Sequence, residues 1–209
     1  MTAGELRVRD ATADDVGFLW LMLTYAASMT PPPQPSAARP LLTGDRTSPA
    51  SGEADRSIER VTAAVTRSQA VAEAMTDAYL RTYVDAWGLP GDLGVIAERG
   101  GAPVGAAWVR LVAGKRGPDP ADAAVPELAT ATLPSDRGGG AGTAMLRRLI
   151  DRARGAYPAI VLSVRDGNPA VRLYERAGFR TERTIENRVG GVSFVMRLDL
   201  GGAVTPPAG

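Results

Sequence analysis

The chain has 209 residues, 44% hydrophobic and 22% charged, which suits one domain with a packed core; no apolar run reaches the length of a bilayer span. A formal net charge of +1 gives no general attraction to nucleic acid or to a membrane. Cysteine and histidine are both absent, which excludes disulfides, thiolate nucleophiles, Ser-His-Asp triads and most zinc sites; acid–base work must fall to carboxylates, tyrosines, the single lysine Lys115, backbone or water.

The N-terminus lacks a signal-peptide pattern, so a cytoplasmic, soluble protein is expected. Leu6 and Val8 alternate with Arg7 and Arg9 as in a short strand. Thr12 and Asp15 form a capping box with Asp in place of Glu, and Val16, Leu19, Trp20 and Leu23 follow at helical spacing to about Ser28. Residues 29–56 hold Pro31, Pro32, Pro33, Pro35, Pro40 and Pro49 and no aromatic residue. They bury too little to offset their ordering entropy, so they are expected to be a disordered insertion. Ile58, Val61, Val65, Ala72, Met75, Tyr79 and Tyr83 then predict one long helix, stopped by the turn residues Trp87 to Asp92.

Leu93 to Glu98 and Val104 to Val112 read as two strands joined by the turn Arg99-Gly100-Gly101-Ala102. Val125 to Leu133 is a third. A helix from about Thr143 carries a buried stripe of Met145, Leu146, Leu149, Ile150 and Ala153. Ala159 to Val164 is short enough for a buried strand. Asn168 caps a helix opening at Pro169 and ending at Gly178, and two last strands, Arg180 to Glu186 and Val192 to Leu200, close on Val189-Gly190-Gly191. Residues 201–209 are expected to fray. The order is an α/β chain of the α+β type: a mixed, mostly antiparallel sheet of six or seven strands with helices on both faces.

Between the third strand and its helix lies Arg137-Gly138-Gly139-Gly140-Ala141-Gly142. Glycines at a helix mouth let backbone N–H groups approach an anion, and the helix dipole adds to the attraction. The Lys-Ser/Thr pair of a P-loop is missing, since Thr143-Ala144 follows Gly142. A dinucleotide fingerprint started at Gly138 would have Thr143 as its third glycine, and Pro134-Ser135-Asp136 separates the loop from its strand. A Rossmann dehydrogenase is thus a distant third reading.

Arg137, Gly140 and Gly142 in an Arg-x-x-Gly-x-Gly pattern resemble the acetyl-CoA signature of the GNAT N-acetyltransferases. Pro126-Glu127-Leu128 running into Leu133-Pro134, Gly105-Ala106-Ala107-Trp108, and Asn168-Pro169-Ala170 followed by Leu173-Tyr174-Glu175 and Gly178-Phe179 extend the resemblance over nearly the whole chain outside 29–56. The resemblance implies splayed central strands and acetyl-CoA as acyl donor, with no metal. Backbone groups of Gly138, Gly139, Gly140, Ala141, Gly142 and Thr143 would hold the pyrophosphate, braced by Arg137. A bulge would free Thr132 and Leu133 to pair with the pantetheine arm, which Asn168 would also bond.

By the same resemblance Tyr174 would protonate the departing thiolate, and Glu127 would draw a proton from the acceptor amine through water. The tasks are real: an alkyl-ammonium has a pKa of about 10.4 and a thiol about 8.5. Trp20, Tyr83 and Trp87 are candidates for the acceptor wall. The expected partner is a small-molecule amine, with no nucleic acid or membrane, and the protein a monomer or homodimer. A catalytically weak acetyl-CoA-binding sensor is the alternative. The sequence departs from the family at Gly139, where a cation is common, and at Ala141, where a larger apolar residue is common. Both departures, with three glycines in a row, imply weaker CoA binding.

Overall fold

The computed structural model describes residues 4–27, 69–111, 124–187 and 190–201. The expected insertion at 29–56 lies outside these, as does the tail beyond Gly201. Strand β1 (Leu6–Asp10) leads to Thr12, whose capping box with Asp15 opens a 3-10 turn at Ala13–Asp15. Asp15 also accepts from Arg9 Nη1 and Nη2, each at 2.7 Å, and Arg9 Nε donates to Glu98 at 2.7 Å. Helix α1 (Val16–Ala27) continues from that turn and lies over the sheet with Leu19, Trp20, Met22 and Leu23 buried.

The single long helix expected to reach Tyr83 is not continuous. Residues 69–76 form α2, and Asp77 then accepts hydrogen bonds from Tyr79 N (2.8 Å) and Leu80 N (3.1 Å), which starts the separate helix α3 (Ala78–Arg81). An internal N-cap wins over the helical period there. Ala72 and Met75 accordingly face outward, while Ala74, Tyr83 and Val84 are buried; Ile58, Val61 and Val65 lie outside the described residues.

Seven strands follow the order β1-β2-β3-β4-β5-β7-β6, where β2 is Leu93–Arg99, β3 Ala102–Arg110, β4 Glu127–Thr132, β5 Ala159–Arg165, β6 Arg180–Glu186 and β7 Val192–Asp199. Every pairing is antiparallel except β4 with β5. Helix α4 (Ala141–Ala153) buries the stripe expected of it, and α5 (Val171–Arg176) lies between β5 and β6 in the chain. The two faces carry separate cores. Val95, Ala97, Leu128, Met145, Leu149, Ile160, Leu162, Tyr174 and Met196 pack on the α4 side, and Leu19, Met22, Val84, Ile96, Trp108 and Ala129 on the α1 side. Helices on both faces of a mostly antiparallel sheet were the sequence expectation.

The turn after α3 is locked from beneath. Arg110 Nε and Nη2 bond Asp92 at 2.7 and 2.6 Å, and Nη2 also reaches the Ala86 carbonyl at 3.1 Å. The two side chains are only 6% and 5% exposed. Breaking such a buried pair leaves an uncompensated charge. Arg110→Met should therefore cost about 3–5 kcal/mol of unfolding free energy, read from denaturant melts. Asp15 gives the pH test. The Arg9 guanidinium holds its carboxyl below the usual carboxylate range. A carboxyl with a lowered folded pKa adds stability above its ordinary value of about 3.9, and that increment is lost as pH falls from there through the folded value. Melts across pH 2–7 should show a flatter acid limb for Asp15→Asn than for the wild type.

Candidate active site

The site is built where the sheet comes apart. β4 pairs with β3 over all six of its residues without a register shift, and β5 pairs with β7 over all seven of its own. Between β4 and β5 there is a single pair, Glu127 with Val161, supported by Val161 N bonding the Pro126 carbonyl at 3.1 Å. Beyond that pair the strands diverge. The splay is as expected, but no bulge in β4 produces it.

Register then decides which backbone groups face the cleft. Leu133 N donates to the Val104 carbonyl at 2.8 Å, and the Leu133 carbonyl accepts from Asp136 N at 2.9 Å. Leu133 is therefore spent on the fold and does not offer the free backbone expected of it. Because backbone groups alternate along an antiparallel ladder, Ala129 and Ala131 point theirs at β3, and Thr130 and Thr132 point theirs across the split. The Thr132 carbonyl meets Arg137 Nε at 3.4 Å, so Arg137 braces the exit of β4 while remaining exposed.

A short 3-10 turn, Pro134–Asp136, carries the chain from β4 into the glycine loop. Gly138 and Gly140 have φ of 77° and 83°, a left-handed conformation that side-chain-bearing residues resist. Gly140 is the N-cap of α4 and has no side chain to offer. No acceptor among the described residues meets the N–H groups of Gly140, Ala141, Gly142 and Thr143; the first intrahelical bond is Ala144 N to the Gly140 carbonyl at 3.1 Å. Four orphan donors converge at the positive end of a thirteen-residue helix. Ala141 is 1% exposed, so the small residue is fully packed. A Cβ on Gly142 would stand 3.0 Å from Leu173 Cδ2, which fixes α5 against the loop.

Arg99 was missed by the sequence reading. At the end of β2, its Nη2 donates to the Gly139 carbonyl at 3.1 Å and its Nε to Asp136 at 3.1 Å. A guanidinium from another strand thus reaches the Gly139 carbonyl, where the residue itself carries no cation. Its Arg-Gly-Gly context reads as a plain hairpin turn, so nothing local in the sequence signals the contact.

Asn168 Oδ1 accepts the Ala170 N–H at 2.9 Å in the turn before α5; the helix begins at Val171 rather than at Pro169, so Asn168 holds this turn and is not the N-cap of α5. This fixes which way the half-buried amide turns. Tyr174 packs edge-on against Phe179 with ring centroids 5.9 Å apart. Its hydroxyl has no partner among the described residues, yet no buried side-chain polar atom is left unpaired, so the oxygen reaches an open surface. Burial pushes the phenol up to about 12, above the ordinary value used in the sequence reading.

Glu127 is 6% exposed and sits at the apex of the split. Tyr83 donates to its Oε1, and the Tyr79 and Tyr83 hydroxyls lie 3.2 Å apart. Burial first, and then the Glu127 charge, raise the Tyr83 phenol well above its ordinary value. Tyr83 is thereby a buried partner of Glu127. Trp20 is 6% exposed in the α1-side core, and Trp87 packs on Gly94 and under the Arg110 guanidinium, 5.7 Å from the ring centroid. A surface cavity of about 430 Å³, lined by Gly178, Arg180, Glu182, Arg197, Leu198 and Asp199, borders none of these residues.

Among the described residues no helix is long and apolar enough to cross a membrane, and no group of three or more Cys, Asp or Glu side chains is placed to hold a metal. No curated protein matches the sequence. Solved structures do resemble the fold. The yncA protein of Salmonella typhimurium, solved with its cofactor acetyl-CoA, is 21% identical over 98% of this chain and 99% of its own, with a TM-score of 0.57. A ribosomal-protein-alanine N-acetyltransferase from Brucella melitensis is 19% identical over 92% and 99%, with a TM-score of 0.54. A phosphinothricin acetyltransferase from Sinorhizobium meliloti, in complex with acetyl-CoA, is 20% identical over 100% and 95%, with a TM-score of 0.53. The profile of the acetyltransferase (GNAT) family fits residues 58–179. That match covers more than half of the chain, on a sheet of this topology, and the protein belongs to the GNAT family of acetyltransferases.

Proposed function

We propose that the protein moves an acetyl group from acetyl-CoA to a primary amine of a small molecule, by direct attack of the amine on the thioester. The observation that carries this reading is the placing of two open backbone stretches on one connected segment: the side of β4 at Thr130 and Thr132 that faces the split, and the four orphan N–H groups at the mouth of α4. A thioester carrier with amide groups along its arm and a diphosphate at its end is complementary to both halves. From Glu127 to Thr132 the strand spans about 17 Å at 3.4 Å per residue, a length suited to an extended pantetheine arm. Two of the structures with this fold contain acetyl-CoA.

The chain's own residues take these parts. Gly140 to Thr143 receive the diphosphate at the helix terminus. Thr130 and Thr132 pair with the arm as an added strand would, and Asn168 bonds it from the α5 side. An N–H on the open side of β4 faces the thioester oxygen as charge develops there. Glu127, oriented by Tyr83, takes the amine proton through water. Tyr174 faces the sulfur. Its phenol, pushed up to about 12, is a weaker acid than a thiol of about 8.5, which disfavours full proton transfer. Tyr174 therefore acts chiefly as a hydrogen-bond donor to the departing thiolate, which takes its final proton from solvent.

The small-molecule acceptor is supported by the phosphinothricin acetyltransferase among the similar structures, whereas the ribosomal-protein enzyme argues for including a peptide N-terminus in the test. Thiol release from acetyl-CoA is to be followed across amino acids, polyamines and an N-terminal alanine peptide. Release with at least one small amine is expected; CoA binding without release from any acceptor would mark a binding module instead. Tyr174→Phe should lower kcat by about 10²-fold with the Kd for CoA unchanged. Because the phenol stays protonated to well above pH 10, the shape of the pH–rate profile should be the same in that variant. Glu127→Gln should lower kcat/KM for the amine at every pH.

A further inference from the structure

We propose that Arg99 is a positioning residue for the diphosphate cradle: it holds the peptide between Gly139 and Gly140 so that the Gly140 N–H faces the bound anion. The proposal rests on the reading of the glycine loop as the CoA diphosphate seat.

The glycines of the loop differ in what requires them. Gly138 and Gly140 are in the left-handed region, and their backbones call for glycine. Gly139 is not in that region, so its backbone would accept any residue. A Cβ on Gly139 would stand 2.8 Å from Arg99 Nη2 and 3.2 Å from the Asp136 carbonyl, so a side chain there would push the guanidinium tip aside. The middle glycine makes room for a guanidinium.

That guanidinium is itself fixed. Nε bonds Asp136 Oδ1 at 3.1 Å, Nη1 reaches the Gly4 carbonyl at 3.4 Å, and Nη2 bonds the Gly139 carbonyl at 3.1 Å. Asp136 is anchored in turn, its Oδ2 accepting from Ser135 Oγ at 2.8 Å and its carbonyl from Gly139 N at 3.3 Å. The arginine side chain is 24% exposed and the aspartate 16%. A trans peptide points its C=O and N–H in opposite directions. With the Gly139 carbonyl held toward Arg99, the Gly140 N–H is held away from it, alongside the orphan donors of Ala141, Gly142 and Thr143. Three successive glycines would otherwise sample many orientations of this peptide, and each bound anion would have to order them. Arg99 does that ordering beforehand. Its charge is largely answered by Asp136, so its effect on an anion comes through the peptide it holds.

Calorimetric titration of the full chain with CoA, with ADP and with pantetheine tests this. ADP carries the diphosphate and pantetheine does not. Arg99→Met should weaken CoA and ADP about tenfold or more and leave pantetheine within about twofold. Arg99→Lys keeps the charge but lacks the fork that reaches both Asp136 and Gly139, so it should fall between the two. Gly139→Ala should weaken CoA in the wild-type background by displacing the guanidinium, and should add little in Arg99→Met. Equal loss for all three ligands with a lowered melting temperature would reduce Arg99 to a structural role and overturn the proposal. Arg99→Met binding CoA as the wild type does would also overturn it, as would additive losses in the double variant. A wild-type chain that binds pantetheine but neither CoA nor ADP would refute the diphosphate seat, and this inference with it.

Discussion

The site depends on one constraint: the two halves of the sheet are joined through a single strand pair. A strand inside a sheet ordinarily satisfies its backbone on both sides, and an unpaired edge carries a cost unless water or another chain meets it. Here β4 is complete toward β3, β5 is complete toward β7, and only Glu127 with Val161 spans the gap. The halves stay apart without separating because the α4-side core crosses the split. Leu128 of β4 and Ile160 and Leu162 of β5 share that core with Met145 and Leu149 of α4. Among the described residues the α1-side core draws on β2, β3 and β4, and a separate small cluster of Val125, Ala159 and Val161 joins the two halves only at the closed end of the split. A rigid support on one side and an opening on the other turn a defect in hydrogen bonding into a slot with its own donors and acceptors.

The same strand supplies both ends of the chemistry. Its first residue is the buried carboxylate at the apex. Its last leads through one 3-10 turn into the glycine loop. A carrier laid along β4 therefore has its thioester end and its anionic end set by one rigid element, which fixes their separation better than two loops would. Arg99 and Leu173 extend this from the flanks: one enters from β2 behind Gly139, the other from α5 against Gly142. The loop is glycine-rich for three separate reasons, two of which are close contacts from distant parts of the chain.

Much of this was legible in the sequence because it is local. The capping box at Thr12 and Asp15, the stripe on α4 and the bounds of β6 all follow from residues a few positions apart, and the structure has each of them. The break at Asp77 was missed for the opposite reason: a local cap overrode a longer helical period, and the apolar pattern alone does not report which prevails. Of the free backbone expected at Thr132 and Leu133, Thr132 lies on the open side of β4 and Leu133 does not. Alternation is set by the pairing partner, and the bond from Leu133 to Val104 lies in no motif. Arg99 was invisible because its partners are 37 and 40 positions away along the chain, and a pattern matched within the loop finds only an absence at Gly139.

Burial shapes the two tyrosines near the cleft in one direction and gives them different tasks. Desolvation disfavours a phenolate, so both phenols are raised, Tyr174 to about 12 and Tyr83 well above its ordinary value, with the Glu127 charge adding to the latter. A phenol that will not ionise is a poor proton source but a persistent hydrogen-bond donor. In a site with little water such a donor interacts more strongly with an anion than it would in solution. Tyr83 spends its donor on Glu127 and so orients a buried carboxylate. Tyr174 has spent its donor on nothing within the described fold, and its oxygen reaches the surface. Under the proposed function, the raised phenol thus serves catalysis by stabilising sulfur charge as it forms. The unpartnered hydroxyl is the feature of α5 that packing against Phe179 alone does not account for.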